Sequence, residues 1–345
     1  MIDLRSDTIT LPTEGMMHAI TNAKLGDDVL DEDPTVHELE KKSCEITGKE
    51  AALFVPSGTM ANLTAVLAHC ERGDEVILGD QAHTFLYEAG GISSLGGIHS
   101  HQLKNQDDGT LALDDIRNAI RTESVHFPRT RLICLENTHN RCFGFPLHLN
   151  YLHSVRSIAE ENALKLHVDG ARLFNAAVAL GISVEELCGP VDSTTFCLSK
   201  GLSAPVGSLV CGNTDFIYKV KRLRKVLGGG MRQAGILAAA GIEALETMVD
   251  QLALDHHHAK VLADGLSSVD GLHCNPEFVP TNIVYFLLER ENITGQELVS
   301  VMEKNGIQFF ELSPKRFRLV THAGIEEKDV FKTIEIFRKV MHGWN

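Results

Sequence analysis

A lysine closes an apolar run in the stretch TFCLSKGLSAPVGSLV, residues 195–210, before serine, glycine and proline break the chain. Other polar residues stand in the same kind of place. His83 follows VILGDQA, Glu136 and Asn137 follow LICL, and Asp169 follows LKLHV, each just beyond a β-branched, apolar segment. An ion pair is the ordinary explanation for a lysine and an aspartate. Here Lys200 and Asp169 are 31 residues apart (200 − 169), each followed by glycine, in a chain that also carries PSGTMAN at 56–62. That segment turns through Gly58 into an apolar helix, and free backbone N–H groups with the Thr59 hydroxyl at a helix start suit a phosphate. The P-loop and dinucleotide fingerprints, Gly-x-x-x-x-Gly-Lys and Gly-x-Gly-x-x-Gly, are missing at this first strand–helix turn, which argues against a dinucleotide-dependent oxidoreductase. A phosphate cradle, a strand-end carboxylate and a strand-end lysine are together what pyridoxal 5′-phosphate requires. The lysine condenses with its aldehyde, the carboxylate keeps its ring nitrogen protonated, and the helix end fixes its phosphate.

These residues need a scaffold that gathers strand ends. Short β-branched runs at 51–55, 75–79, 131–137, 164–170, 194–200 and 207–212 alternate with helical patterns at 60–70, 113–122, 151–162, 215–226 and 231–247. That alternation marks an α/β layer structure with a mostly parallel central sheet, in which ligands bind beyond the carboxyl ends of the strands. Past residue 248 the order becomes helix (252–266), strand (282–289), helix (296–305), strand (316–322) and helix (326–341), a smaller C-terminal α+β domain. The expected division is 1–247, with an N-terminal arm, and 248–345, joined by helix and closely packed.

Composition narrows the function. A chain of 345 residues, 43% hydrophobic, can bury a large core, and a net charge of −14 argues against nucleic acid as the main partner. The basic run YKVKRLRKV, 218–226, reads first as the solvated face of a helix. No basic-plus-apolar leader opens the chain and no apolar run approaches the roughly 20 residues that span a bilayer, so a soluble cytoplasmic protein without membrane contact is expected. The eight cysteines form no Cys-x-x-Cys pair and read as reduced core residues. His256, His257 and His258 point in different directions along a helix and cannot converge on one ion, so no metal site is expected and a solvated helix is the better reading.

The motifs MIDLRSDTITLPT, GDDVLDEDPTV, PSGTMANL, ENTHN, HVDGARLFNA, LSKGLSAPVGSL, GGGMRQAG and RLVTH, in this order over nearly the whole chain, closely resemble the low-specificity L-threonine aldolases. These are fold type I pyridoxal-phosphate enzymes of the β-eliminating lyase/threonine aldolase family. The resemblance implies retro-aldol cleavage of a β-hydroxy-α-amino acid to glycine and an aldehyde, with Lys200 carrying the cofactor and Asp169 facing its ring nitrogen. By match to the motifs, His83 stacks on the ring, and His126, in SVHFPRT, is a second imidazole on that side; either could act on the β-hydroxyl proton, directly or through water. Arg172 and Arg318 match the carboxylate-binding positions, with Ser6 as a hydroxyl donor. Lys225 and Arg232 match residues that approach a neighbouring subunit's phosphate, which implies a homo-oligomer, a tetramer built as a dimer of catalytic dimers.

The chain also departs from the family. Leu30-Asp31 stands where an aromatic followed by Gly or Asn is usual, Leu11 replaces a usual arginine, and Arg141-Cys142-Phe143-Gly144-Phe145 replaces a glycine-containing turn. These changes fall on the pocket rim, where side-chain preference is set. Racemisation, transamination and β-elimination use the same lysine, aspartate and cradle, so those residues do not separate them. A cofactor-binding relative without turnover is the remaining alternative, against which stands the full set of lysine, aspartate, arginines and histidines.

Overall fold

The first residues form a short strand, β1 (Ile2–Asp3), and the next apolar runs form a seven-stranded sheet in the computed structural model, which describes residues 1–344. Its strands are β2 (Ala51–Val55), β3 (Asp74–Gly79), β4 (His99–Leu103), β5 (Arg129–Glu136), β6 (Lys165–Asp169), β7 (Ser193–Cys197) and β8 (Ser208–Gly212). The spatial order is β2-β8-β7-β6-β5-β3-β4. Only β8 runs antiparallel to its neighbours, β2 and β7; the other pairings are parallel. Every residue of β3, β7 and β8 is buried, because helices cover both faces of such a sheet. Edge strand β4, HSHQL, is half-exposed and polar and gives no such signal.

The C-terminal part contributes β9 (Leu272–His273), β10 (Ile283–Leu288), β11 (Ile307–Gln308), β12 (Phe310–Ser313) and β13 (Arg316–Val320). Four of them form an antiparallel sheet in the order β12-β13-β10-β9. Its core includes Val284, Phe286, Phe317 and Leu319 from the sheet with Leu298, Met302, Ile334 and Phe337 from helices. The helix Gln251–Ser267 joins the two parts physically: Leu252 lies in the first core, while Ala259, Leu262 and Leu266 lie in the second. The N-terminal arm, grouped above with residues 1–247, packs the other way. β1 pairs in parallel with β11, and Ile2 and Leu4 are buried in the second core.

The histidine triplet lies on the Gln251–Ser267 helix, and the solvated reading holds for His257 alone. His258 is buried, and His256 Nε2 faces Asn175 Nδ2 at 3.1 Å. The basic run is likewise not wholly a solvated face. Arg224 is buried, pairs with Asp28 at 2.9 Å and donates to the Phe54 carbonyl at 2.7 Å. All eight cysteines are free, seven of them buried. No helix among the described residues is long and apolar enough to cross a membrane.

Candidate active site

The carboxyl ends of β3, β5, β6 and β7 lie side by side, so the turns that leave them share one crevice. β6 ends on Asp169. Its carboxylate accepts from the Ala171 amide at 3.0 Å and from Asn62 Nδ2 at 2.9 Å. Asn62 comes from the helix Gly58–His69 and also donates to Glu88 at 2.8 Å, while Thr195 donates to its carbonyl at 3.1 Å. β3 leads to His83, whose amide donates to Glu136 at 2.7 Å and whose Nδ1–H donates to Glu88 at 2.9 Å. Ligand atoms of His83, Glu88 and Asp169 all lie within 4.8 Å of one another, so two carboxylates bracket one imidazole.

That crowding sets the protonation. Burial works against a charged His83, but the hydrogen bond to Glu88 and the charges of Asp169, Glu136 and Glu88 outweigh it and hold the imidazole above its usual range. Glu88 is raised, chiefly by burial, despite the opposing bond from His83. Glu136 goes the other way: its burial is overcome by His139 and by amides of Asn140 and His83.

Lys200 sits in the turn after β7, half-buried, its amine without an acceptor among the described residues. Thr10 of the arm and the Ser203 amide both donate to its carbonyl, at 2.9 Å each, which pins the turn. Gly58 begins its helix against the same strand end. A Cβ there would stand 2.8 Å from Cys197 Sγ, so only glycine lets the helix start approach β7. Ser57 caps the Met60 amide at 3.2 Å, leaving the amides of Gly58 and Thr59 as the first unpaired donors, with the Thr59 side chain exposed. A partnerless amine, a held carboxylate and a helix start that tolerates no Cβ fit pyridoxal 5′-phosphate.

The arm closes the site. Arg172 is buried, and its Nε and Nη2 donate to Asp7 at 2.7 and 2.8 Å, leaving only Nη1, 3.4 Å from Asn140. The fork expected to hold a substrate carboxylate is thus largely occupied by Asp7, whose own burial is overcome by Arg172, Lys200 and Arg318, so that it stays ionised well below the carboxylate range. Arg318 is different. Its Nη1 donates to Asn140 at 2.8 Å and its Nη2 to the Arg5 carbonyl at 3.1 Å, but its Nε is buried without an acceptor. Ser6 is buried beside Asp7 and accepts from the Thr8 amide at 3.2 Å.

Three expected residues lie elsewhere. Within this chain His126 is exposed in the loop before Arg129, at the amino end of β5. Eight residues of strand at about 3.3 Å each, roughly 26 Å, separate it from the carboxyl end where the site is built. Lys225 and Arg232 are exposed and reach none of the cluster. They flank a glycine loop in which a side chain at Gly229 would strike Met60, and Arg232 pairs with Asp27 at 2.8 Å. The residues missed from sequence are Asp7, Asn62, Glu88 and Asn140. Asn62 alone carried a signal, a polar residue on the apolar face of the phosphate helix.

The profile of the Beta-eliminating lyase family matches residues 3–289 of the chain. Low-specificity L-threonine aldolase 1 of Arabidopsis thaliana is 48% identical over 99% of this chain and 96% of its own length. The low specificity L-threonine aldolase of Escherichia coli K12 is 46% identical over 96% of each. Among solved structures, threonine aldolase of Leishmania major superposes with a TM-score of 0.83 at 19% identity, over 99% of this chain and 100% of that one. SPT with bound PLP gives 0.76 at 19% identity, over 99% and 87%. At such identities these two likenesses speak for the fold, a type I pyridoxal-phosphate architecture.

Proposed function

This chain belongs to the beta-eliminating lyase family, and on that premise we propose that it cleaves L-threonine, L-allo-threonine and related L-β-hydroxy-α-amino acids to glycine and an aldehyde. The observation that carries the reading is the meeting of Lys200, Asp169 and the Gly58 helix start at the carboxyl ends of β6 and β7, with an Arg318 whose Nε lacks an acceptor. Pyridoxal 5′-phosphate, when bound, supplies the electron sink for the pair released from the broken carbon–carbon bond. Lys200 is the amine that holds it, Asp169 the carboxylate for its ring nitrogen, and the Gly58 and Thr59 amides the cradle for its phosphate. Arg318 takes the substrate carboxylate, while Arg172, locked to Asp7, sets the wall behind it. His83 has Nδ1 tied to Glu88, so Nε2 is the atom free to accept the β-hydroxyl proton.

A cytoplasmic location and a homotetramer completed by Lys225 and Arg232 of a neighbour belong to the same proposal. Eight unpaired cysteines support the first, and the exposure of both basic residues beside the phosphate helix supports the second. The deciding experiment is a product assay. L-Threonine or L-allo-threonine should give glycine and acetaldehyde in equal amounts, with no 2-oxobutanoate and no turnover of the D-enantiomers. Stoichiometric 2-oxobutanoate would replace retro-aldol cleavage with elimination.

A further inference from the structure

The rim motif Arg141-Cys142-Phe143-Gly144-Phe145 plays no part in the chemistry so far, yet it builds a cavity. A space of about 400 Å³ opens between the two parts of the chain, lined by Arg141, Phe143, Phe278, Tyr285 and Arg316 among others. The Arg316 guanidinium lies 4.7 Å from the Tyr285 ring centre and 5.3 Å from that of Phe143, so aromatic faces hold it and its N–H edge is left to bind. Its one hydrogen bond is long, from Nη2 to the Arg141 carbonyl at 3.3 Å. Arg141 donates from Nη1 to the Tyr87 hydroxyl at 2.6 Å, and its Nε is buried with no acceptor. Among the described residues, Arg141, Arg316 and Arg318 make no ion pair. The acid lining the cavity is Asp107, with Asp80 nearby; both are exposed and neither pairs with these arginines.

The cavity is also placed for a particular part of the substrate. Tyr87, which anchors Arg141, has its ring 5.4 Å from that of His83. On the other side, Tyr285 donates to the Asn140 carbonyl at 2.8 Å, and the Asn140 side chain is gripped by Arg318. Arg316 and Arg318 are two residues apart on β13 and share a face, about 6.6 Å from each other. Two of the residues lining the space are thus one contact removed from the site on either side: Arg141 through Tyr87 to His83, and Tyr285 through Asn140 to Arg318.

We propose that this cavity selects an anionic β-substituent, and that the preferred substrate is an L-β-hydroxy-α-amino acid bearing a second carboxylate. This rests on the retro-aldol reading above. The β-hydroxyl proton passes to His83 Nε2 as the oxygen becomes a carbonyl; the Cα–Cβ bond breaks, its pair remains with Cα, and Cα gains a proton. The products are glycine and an aldehyde that keeps the carboxylate.

The test compares kcat/KM of the holoenzyme for L-3-hydroxyaspartate, L-3-hydroxyglutamate, L-threonine and L-phenylserine. One of the acidic substrates should exceed both neutral ones by tenfold or more. Arg316→Gln and Arg141→Gln should each lower the acid-to-threonine ratio roughly ten- to a hundred-fold, the worth of a charge-assisted hydrogen bond. A readout free of turnover runs beside it. L-Aspartate should raise the thermal midpoint of the holoenzyme more than L-alanine does, and both substitutions should abolish the difference. Equal rates on acidic and neutral substrates, or an acid preference that survives both substitutions, overturns the inference and leaves the proposed function standing. Failure to cleave any of the four overturns the proposed function instead, and the aspartate–alanine comparison then decides the cavity by itself.

Discussion

Replacing Glu88 by glutamine isolates what the buried carboxylate does for His83. The exchange keeps the side chain's shape and one acceptor oxygen but removes the charge that meets Nδ1 at 2.9 Å. In the native site burial pulls the imidazole down, and the Glu88 hydrogen bond with the charges of Asp169, Glu136 and Glu88 pulls it further up. Without Glu88's charge, burial is opposed by Asp169 and Glu136 alone. A hydrogen bond to a charged partner contributes about 1.5–3 kcal/mol, and since the ring is 33% exposed the lower figure applies. At about 1.36 kcal/mol per unit, 1.5 kcal/mol is about one unit. His83 should therefore titrate about one unit lower in Glu88→Gln, followed by the NMR signal of its ring Cε1–H. The acid limb of kcat/KM should move down by the same amount, because the neutral base persists to lower pH, while the plateau falls because a weaker base accepts the proton less well. An unmoved titration, or an acid limb displaced upward, would refute the positioning role of Glu88.

Three further outcomes are expected. Asp7→Ala leaves Arg172 charged and buried, which should cost about 3–5 kcal/mol in a denaturant melt; an unchanged midpoint would show the pair to be dispensable. Because Asp7 is held below its unfolded range, its contribution is present above that range and is lost as pH falls toward the lowered value, so the gap between wild type and variant should narrow in strong acid. Gly58→Ala puts a methyl 2.8 Å from Cys197 Sγ and should weaken cofactor affinity by about tenfold or more, measured by absorbance titration of the apoprotein; an undiminished affinity would remove the helix start from the phosphate site. If Lys225 and Arg232 serve a neighbour, Lys200→Ala and Arg232→Ala subunits, each inactive alone, should regain part of the activity when mixed, and proven exchange without rescue would mean that each chain builds its own site.

The site was legible where its residues end apolar runs. Lys200, Asp169 and His83 could be picked from the sequence because parallel strands present their carboxyl ends to one side, so a polar residue just past an apolar run faces the crevice. The partners of these residues carried no comparable mark. Asp7 is 165 residues from Arg172 and Asn62 is 107 from Asp169, and no local pattern links such pairs. His126 shows the converse. Its motif drew it toward the site, but β5 carries the chain across the full width of the sheet before Glu136 reaches it. The antiparallel β8 and the polar edge strand β4 were outside the reach of periodicity as well, since direction and edge position depend on which strands lie beside them.

The sequence by itself determined the alternation of strands and helices, the lysine–aspartate–phosphate-helix set, and membership of a family whose motifs span the chain. These are properties of short segments, where hydrophobic periodicity and turn chemistry act within a few residues. Tertiary structure decided which charges are spent and which are free. Asp7 takes up most of Arg172 while Arg318 keeps an unpaired Nε, and Glu88 rather than solvent meets His83. Pairing of that kind depends on separations of a few ångströms between distant segments in a low-dielectric interior, where a neighbour's charge outweighs the intrinsic preference of the group itself.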